Sequence, residues 1–234
     1  MQNRPIGPIV ENWTLPPRPT GEVLKGRYTQ LEPLAHDHAA ELYAAYIGED
    51  WVWDYMPNGP YTDVAGYADW VQQVTAGPDC HYTIRDLETG ALGGTAALLR
   101  IDPAAGSIEV GYIAFAPHIQ RTRGATEAMY LMMKWAFEAG YRRYEWKCNA
   151  LNLPSCRAAE RLGFSYEGIF RQATVVKTRN RDTAWFAAID GEWPALKAAF
   201  ETWLAPENFE NGAQKQSLSA LTAPVLVMRD PELA

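Results

Sequence analysis

Between Cys80 and Phe115 the chain carries three runs of strand-forming residues, CHYTIRD, LGGTAALLRID and SIEVGYIAF. Turn signals at Glu88 to Gly90 and Pro103 to Gly106 separate them, which is the spacing of an antiparallel meander. From Thr122 to about Ala139 the period changes. Ala125, Met129, Met132, Met133, Ala136 and Phe137 recur at helical spacing, and Gly140 stands where a helix C-terminal glycine belongs. A sheet that feeds one long amphipathic helix is therefore the middle of the fold, and the chain reads as α+β.

The flanks fit around this centre. Residues 1–26 hold Pro5, Pro8, Pro16, Pro17 and Pro19 with Gly7, Gly21 and Gly26, a density that blocks helix and central strand, so they read as an extended arm. RYTQLEPL (27–34) is strand-like, and HDHAAELYAAY follows as a helix with Asp37 as its N-cap candidate. WVWDYMPNGPY (51–61) is an aromatic loop, after which Asp63 can cap a second helix to about Val74. Beyond the long helix, YRRYEWKCNAL returns as a strand, LPSCRAAERLGF starts a helix near Pro154, and YEGIFRQATVV pairs with RDTAWFAAID. Glu192 to Leu204 is a last helix, and residues 205–234 read as a C-terminal tail without a core of its own. The expected domain is 27–204.

Composition narrows the function classes. A formal net charge of -7 and the lack of a clustered Lys/Arg run disfavour a nucleic-acid partner and suit amine substrates. Cys80, Cys148 and Cys156 are an odd number without CxxC spacing, which argues against a disulfide framework or a zinc site and for reduced thiols. His36, His38, His81 and His118 lack metal-ligand spacing, so no metal is required. No apolar run approaches the roughly 18 to 20 residues that span a bilayer, and MQNRPIGPIVENW has no signal-peptide core. The expectation is a cytoplasmic protein with no membrane partner.

The most informative stretch is SIEVGYIAFAPHIQRTRGATEAM, where a strand ends at Pro117, a basic turn follows and a helix begins. Arg121, Thr122, Arg123, Gly124, Ala125 and Thr126 would present successive amides at a helix N-terminus, where the dipole favours an anion such as phosphate. Gly124 would let a ligand approach the backbone where a Cβ obstructs it. An ordinary solvated turn is the alternative.

With these residues in view, the chain resembles GNAT-fold acyl-CoA transferases, and among them the RimJ/RimL-type branch. The family's pyrophosphate loop follows Q/R-x-x-G-x-G/A, which Arg121 to Thr126 satisfies except that Thr126 takes the last small position. SIEVGYIAF resembles the family's E-x-G-Y strand, and NALNLPSCRAAERLGFSYEG resembles its N-x-x-S block followed by L-G-F-x-x-x-G. Together these cover about residues 90 to 170. No Walker-type or Rossmann glycine pattern competes.

The resemblance implies a central, mixed, mostly antiparallel split sheet flanked by helices, with acetyl-CoA as cosubstrate in the V between SIEVGYIAF and YEWKCNA. It implies an N-acetyltransferase, an acyltransferase moving groups other than aminoacyl, in which a primary amine attacks directly with no covalent enzyme intermediate. Ile113 and Phe115 are the expected main-chain partners of pantetheine, with Asn152 and Ser155 near its arm and thiol. Glu109 is the expected general base, directly or through water, and Ser155 the proton donor to the thiolate. Their structural alternatives are a sheet-surface Glu paired with an Arg and a helix-capping Ser. Tyr112 should point to the opposite face from Glu109 if strand alternation is unbroken. Glu127, in the first turn of the long helix, reads as structural, and Cys148 and Cys156 as small core fillers.

Trp51, Trp53, Tyr55 and Tyr61 fall where this fold covers the acceptor side, either walling a substrate pocket or packing the first helices onto the sheet. Asp54 among those rings would hold an ammonium group. The acceptor is then a small-molecule amine or a peptide or protein N-terminus. A non-catalytic acyl-CoA-binding sensor or interaction protein is the competing reading, and a homodimer embraced by the arm and tail a third.

Overall fold

The computed structural model describes residue 4 and residues 6–233, so Pro5 and the first three residues of the arm lie outside the described residues. Eight strands make the main sheet: β1 (Leu24–Lys25), β2 (Thr29–Pro33), β3 (Cys80–Asp86), β4 (Leu92–Asp102), β5 (Ser107–Phe115), β6 (Arg143–Asn149), β7 (Ser165–Val176) and β8 (Arg179–Ile189). They make one sheet in the order β1-β2-β3-β4-β5-β6-β8-β7. Only β5 and β6 are parallel; the other neighbours are antiparallel. Parallel neighbours need a long crossover, and the helix α3 (Arg123–Glu138) supplies it.

The residue pattern of each strand decides which face meets which helices. In β6, Tyr144, Trp146 and Cys148 join the larger core together with residues of α3, α4 (Leu153–Arg161) and α5 (Trp193–Leu204). Arg143, Glu145 and Lys147 alternate with them and take the other face. That second face is covered at one end by α1 (Ala39–Ala45) and α2 (Val64–Thr75), through a separate cluster of Leu42, Tyr46, Trp53, Tyr67, Trp70 and Val71 on Leu92, Ala114 and Ala116.

α3 is the organising helix. Met132, Met133 and Ala136 are essentially inaccessible, and a fully buried Met side chain contributes about 1.5–3 kcal/mol. Gly140 ends it with a positive φ of 96°, as its position required. Glu127 is buried at the other end, where its carboxylate accepts the amide N–H groups of Arg27 (2.9 Å), Tyr28 (2.7 Å) and Thr29 (2.8 Å). Its role is structural, and it ties the start of β2 to α3. Asp63 caps α2, accepting the Gly66 amide at 2.8 Å.

Two expectations fail. Asp37 caps nothing: residues His36–His38 form a short 3-10 turn, and α1 follows with His38 at its N-cap and no side-chain cap bond. The segment from Ala205 is not a tail without a core. Leu218 on α6 (Leu218–Thr222) is fully buried in the main core, and the Thr222 hydroxyl donates to the Arg161 carbonyl at 3.1 Å. The Tyr166 amide bonds the Met228 carbonyl at 3.1 Å, and the Asp230 amide bonds the Glu160 carboxylate at 2.6 Å. The polar composition of this segment hid a few apolar anchors. The arm also lies on the domain from Trp13 on, with Tyr141 donating to the Pro17 carbonyl and Arg18 to the Ile101 carbonyl. No helix among the described residues is long and apolar enough to cross a membrane.

Candidate active site

The sheet opens between its two parallel strands. β5 and β6 pair from Ser107–Arg143 to Val110–Trp146 and then part, leaving residues 111–115 without a β6 partner. The Ala116 amide bonds the Gly93 carbonyl of β4, so strand alternation turns the amides of Phe115 and Ile113 toward the open edge. The Phe115 carbonyl already points that way, where the Gln120 side-chain amide donates to it at 2.8 Å. Ile113 and Phe115 keep their side chains against the main core.

A bulge sits at the start of this opening. Ala97 pairs with Gly111 and Thr95 with Ala114, so Tyr112 and Ile113 together oppose Ala96. Tyr112 takes a φ of +49°, rare for an aromatic residue, and packs against the α1–α2 cluster. Because Ile108 and Val110 face the main core, Glu109 also faces the α1–α2 side. The expected alternation is therefore overturned: the extra residue puts Glu109 and Tyr112 on one face.

The turn before α3 has the geometry of an anion site. Thr122 is the N-cap, accepting the Ala125 amide at 3.1 Å through its hydroxyl. The first-turn amides of Arg123 and Gly124 remain without intrahelical acceptors. Arg121, at φ +61°, is exposed beside them. Two details differ from expectation. The Arg123 guanidinium is sandwiched between the rings of Tyr28 (4.6 Å) and Phe209 (4.8 Å), so its side chain fastens the C-terminal segment and only its amide faces the turn. A Cβ on Gly124 would meet Tyr28 and Thr29 at ordinary contact distance, so this glycine lies against β2. Thr126 is buried and accepts a bond from Arg161 at 3.2 Å.

Across the opening, Asn152 caps α4, accepting the Ser155 amide at 3.2 Å, so Asn152 and not Ser155 is the cap. The Ser155 hydroxyl oxygen accepts the Trp146 indole N–H at 3.1 Å, which leaves its own hydrogen free to donate.

Glu109 is buried with partners that no single stretch of sequence announced. Its carboxylate lies 2.8 Å from the Lys147 ammonium and 3.3 Å from the Arg100 guanidinium, while Lys147 also reaches Glu145 at 2.5 Å and sits 3.8 Å over the Trp185 ring. Burial, the largest influence, pushes the Glu109 carboxyl above its ordinary value, against the pull of Lys147 and Arg100. The signal was in β6: R-Y-E-W-K-C-N alternates charged and core residues, which marks a charged face beside β5. On the same face His81 is buried against Trp70 and Tyr112, and burial pushes its pKa down to about 4.

The aromatic loop divides. Trp53 is 3% exposed and belongs to the core with Tyr46, Tyr61 and Tyr67, beneath a cavity of about 90 Å³ bordered by Gly48 and Asp50. Its ring packs the core and also lines this cavity, with Tyr61 beside it. Asp54 is exposed and outside the ring cluster, contrary to its expected place among the rings. Trp51 and Tyr55 are exposed, and the Tyr55 hydroxyl donates to the Leu151 carbonyl at 3.3 Å. The Lys177 ammonium donates to the Trp53 carbonyl at 2.7 Å, so the loop bridges to the β7–β8 turn and to the β6–α4 connection.

Comparison with known proteins matches this architecture. Residues 29–165 match the acetyltransferase (GNAT) domain model. A GCN5-related N-acetyltransferase from Brucella melitensis is 45% identical, with a TM-score of 0.89 over 92% of this chain and 100% of that one. The uncharacterized N-acetyltransferase p20 of Bacillus licheniformis is 28% identical over 66% of this chain and 89% of its own length. An acetyltransferase of Salmonella typhimurium that modifies the N-terminal serine of ribosomal protein L7/L12 shares the fold, with a TM-score of 0.63 at 20% identity over 72% of this chain and 99% of that one.

Proposed function

The chain belongs to the acetyltransferase (GNAT) domain family and is an N-acetyltransferase, and from this premise we propose that it moves acetyl from acetyl-CoA directly to a primary amine in a ternary complex. The observation that carries the reading is the end of β5–β6 pairing at Val110 and Trp146, beside the capped N-terminus of α3. The diphosphate lies on the free amides of Arg123 and Gly124 in the Arg121–Thr126 turn, with Arg121 as its side-chain cation. Pantetheine pairs with the main chain of Ile113 and Phe115 and passes Asn152.

The neutral amine attacks the thioester carbon, a C–N bond forms and the C–S bond breaks. Holding both reactants in line supplies about 7–11 kcal/mol of the barrier reduction. An amide on the splayed part of β5 meets the oxyanion, where losing one donor costs about 2.7–4 kcal/mol. Ser155 gives its hydrogen to the departing thiolate, and Glu109 takes the amine proton, directly or through water, each worth roughly 10²–10⁴ in rate. The acceptor is a small-molecule amine or a protein N-terminus entering beside Trp51 and Tyr55. Three cysteines, an odd number without CxxC spacing, support a reducing, cytoplasmic setting. The exposed Ile6 and Ile9 of the arm support a homodimer that the arm embraces, which mass in solution for full-length and arm-deleted protein tests.

One observation favours a second reading. Glu109 is held by two cations, as it would be in a non-catalytic acyl-CoA-binding sensor. Thiol release from acetyl-CoA over a panel of amines separates the two. Release with one acceptor class supports the transferase mechanism; calorimetric binding without release over any acceptor supports the sensor. No heat of binding, and none altered by Arg121→Glu, would remove both.

A further inference from the structure

Cys148 and Cys156 come from different elements, the splayed end of β6 and the first turn of α4, and their sulfurs meet at 3.5 Å. Both are buried, and no step of the transfer uses either one. We propose that Cys148 and Cys156 are a peroxide-reactive dithiol, a reversible oxidation site whose disulfide reshapes the acetyl-CoA cleft. Each side chain is already aimed at the other, and closing to about 2.05 Å asks for an approach of about 1.5 Å between the sulfurs. Access comes from the opening itself. β5 and β6 last pair at Trp146, two residues before Cys148, so the β5 side of Cys148 borders the parted strands, while β8 pairs it on the other side through Ala184.

The order of reaction follows from the contact. The contact with Cys156, helped by the Ser155 hydroxyl and the Arg181 charge, holds the Cys148 thiol below its ordinary range against the effect of burial; the same contact and burial push Cys156 up. Cys148 therefore reacts first, as the thiolate. Its sulfur attacks one peroxide oxygen, the O–O bond breaks, hydroxide leaves, and Cys148 becomes a sulfenic acid. The Cys156 sulfur, giving up its proton, then attacks the Cys148 sulfur, the S–O bond breaks and water leaves. Two electrons pass from the thiols to the peroxide.

The bond would tie β6 to the α4 turn that carries Asn152 and Ser155. Ser155 directly precedes Cys156 and holds its hydroxyl against Trp146, two residues before Cys148. Pulling the sulfurs together displaces that hydroxyl, so oxidised protein should transfer acetyl at least tenfold more slowly. This coupling rests on the proposed function; the thiol chemistry does not.

The test uses the full-length chain with Cys80→Ser. Native protein is treated with hydrogen peroxide, quenched, alkylated with N-ethylmaleimide in denaturant, and read by intact mass and peptide mapping without reductant. The expected result is loss of both maleimide additions, a mass lower by two hydrogen atoms, and one linked peptide pair joining Cys148 to Cys156, all reversed by dithiothreitol. With Cys156→Ser added, dimedone should trap a sulfenic acid at Cys148. With Cys148→Ser instead, Cys156 should stay unreactive. Two intact thiols at peroxide levels that leave the circular dichroism unchanged, or higher oxides without a linked peptide, would overturn the site. A mapped disulfide with unchanged velocity would overturn only its coupling to the cleft.

Discussion

Glu109 and Tyr112 stand three residues apart on one strand and face the same side of the sheet. An unbroken strand would place them on opposite sides; the extra residue opposite Ala96 reverses the parity. The bulge also begins the segment where β5 leaves β6, so one local irregularity marks the opening and puts Glu109 on the same face as Tyr112, whose ring meets His81.

Glu109→Gln should lower kcat by about 10²–10⁴-fold with acetyl-CoA affinity unchanged. As the proposed base, Glu109 works only when ionised, and burial raises its pKa above the ordinary 4.5. The acid limb of the kcat profile should therefore lie above that value and vanish in the Gln variant. Steady-state rates from pH 4 to 8 check both points.

The two arginines of the α3 turn should separate binding from stability. Arg121 is exposed and unencumbered, so Arg121→Ala should weaken acetyl-CoA binding in a salt-dependent manner and leave the urea midpoint in place. Arg123→Ala removes the double ring contact, worth about 0.5–2 kcal/mol for such a cation, and should act mainly on stability. Calorimetry and urea titration of the pair measure the split.

His81 makes stability depend on pH. Its pKa falls from 6.5 unfolded to about 4 folded, so the unfolded chain binds more protons between those values. The contribution is complete above pH 6.5 and is lost as pH falls toward 4, at a total of about 3 kcal/mol. Urea unfolding of the parent and of His81→Gln at pH 7, 5.5 and 4 should converge on acidification by that amount.

Leu218 should be as costly to truncate as any residue of the main core. It is fully buried although it lies in a segment of polar composition, and Leu218→Ala should lose about 2–5 kcal/mol of unfolding free energy. A truncation at Ala205 should fail to give a cooperative transition, whereas removal of residues 1–11 should be tolerated. Thermal melts of the two truncations distinguish an integral segment from a free tail.

The sequence by itself determined β3, β4, β5, α3 and its Gly140 end, because period and turn residues act over a few neighbours and leave a local record. It also marked Arg121, Asn152 and Ser155, whose motifs are contiguous. Only the tertiary structure decided that Lys147 and Arg100 hold Glu109, that Phe209 holds Arg123, and that Leu218 completes the core. Those partners lie on separate strands or some ninety residues away, and pairing across a sheet depends on register. A single inserted residue shifts register and reverses every facing beyond it, and nothing in the composition of β5 records that shift.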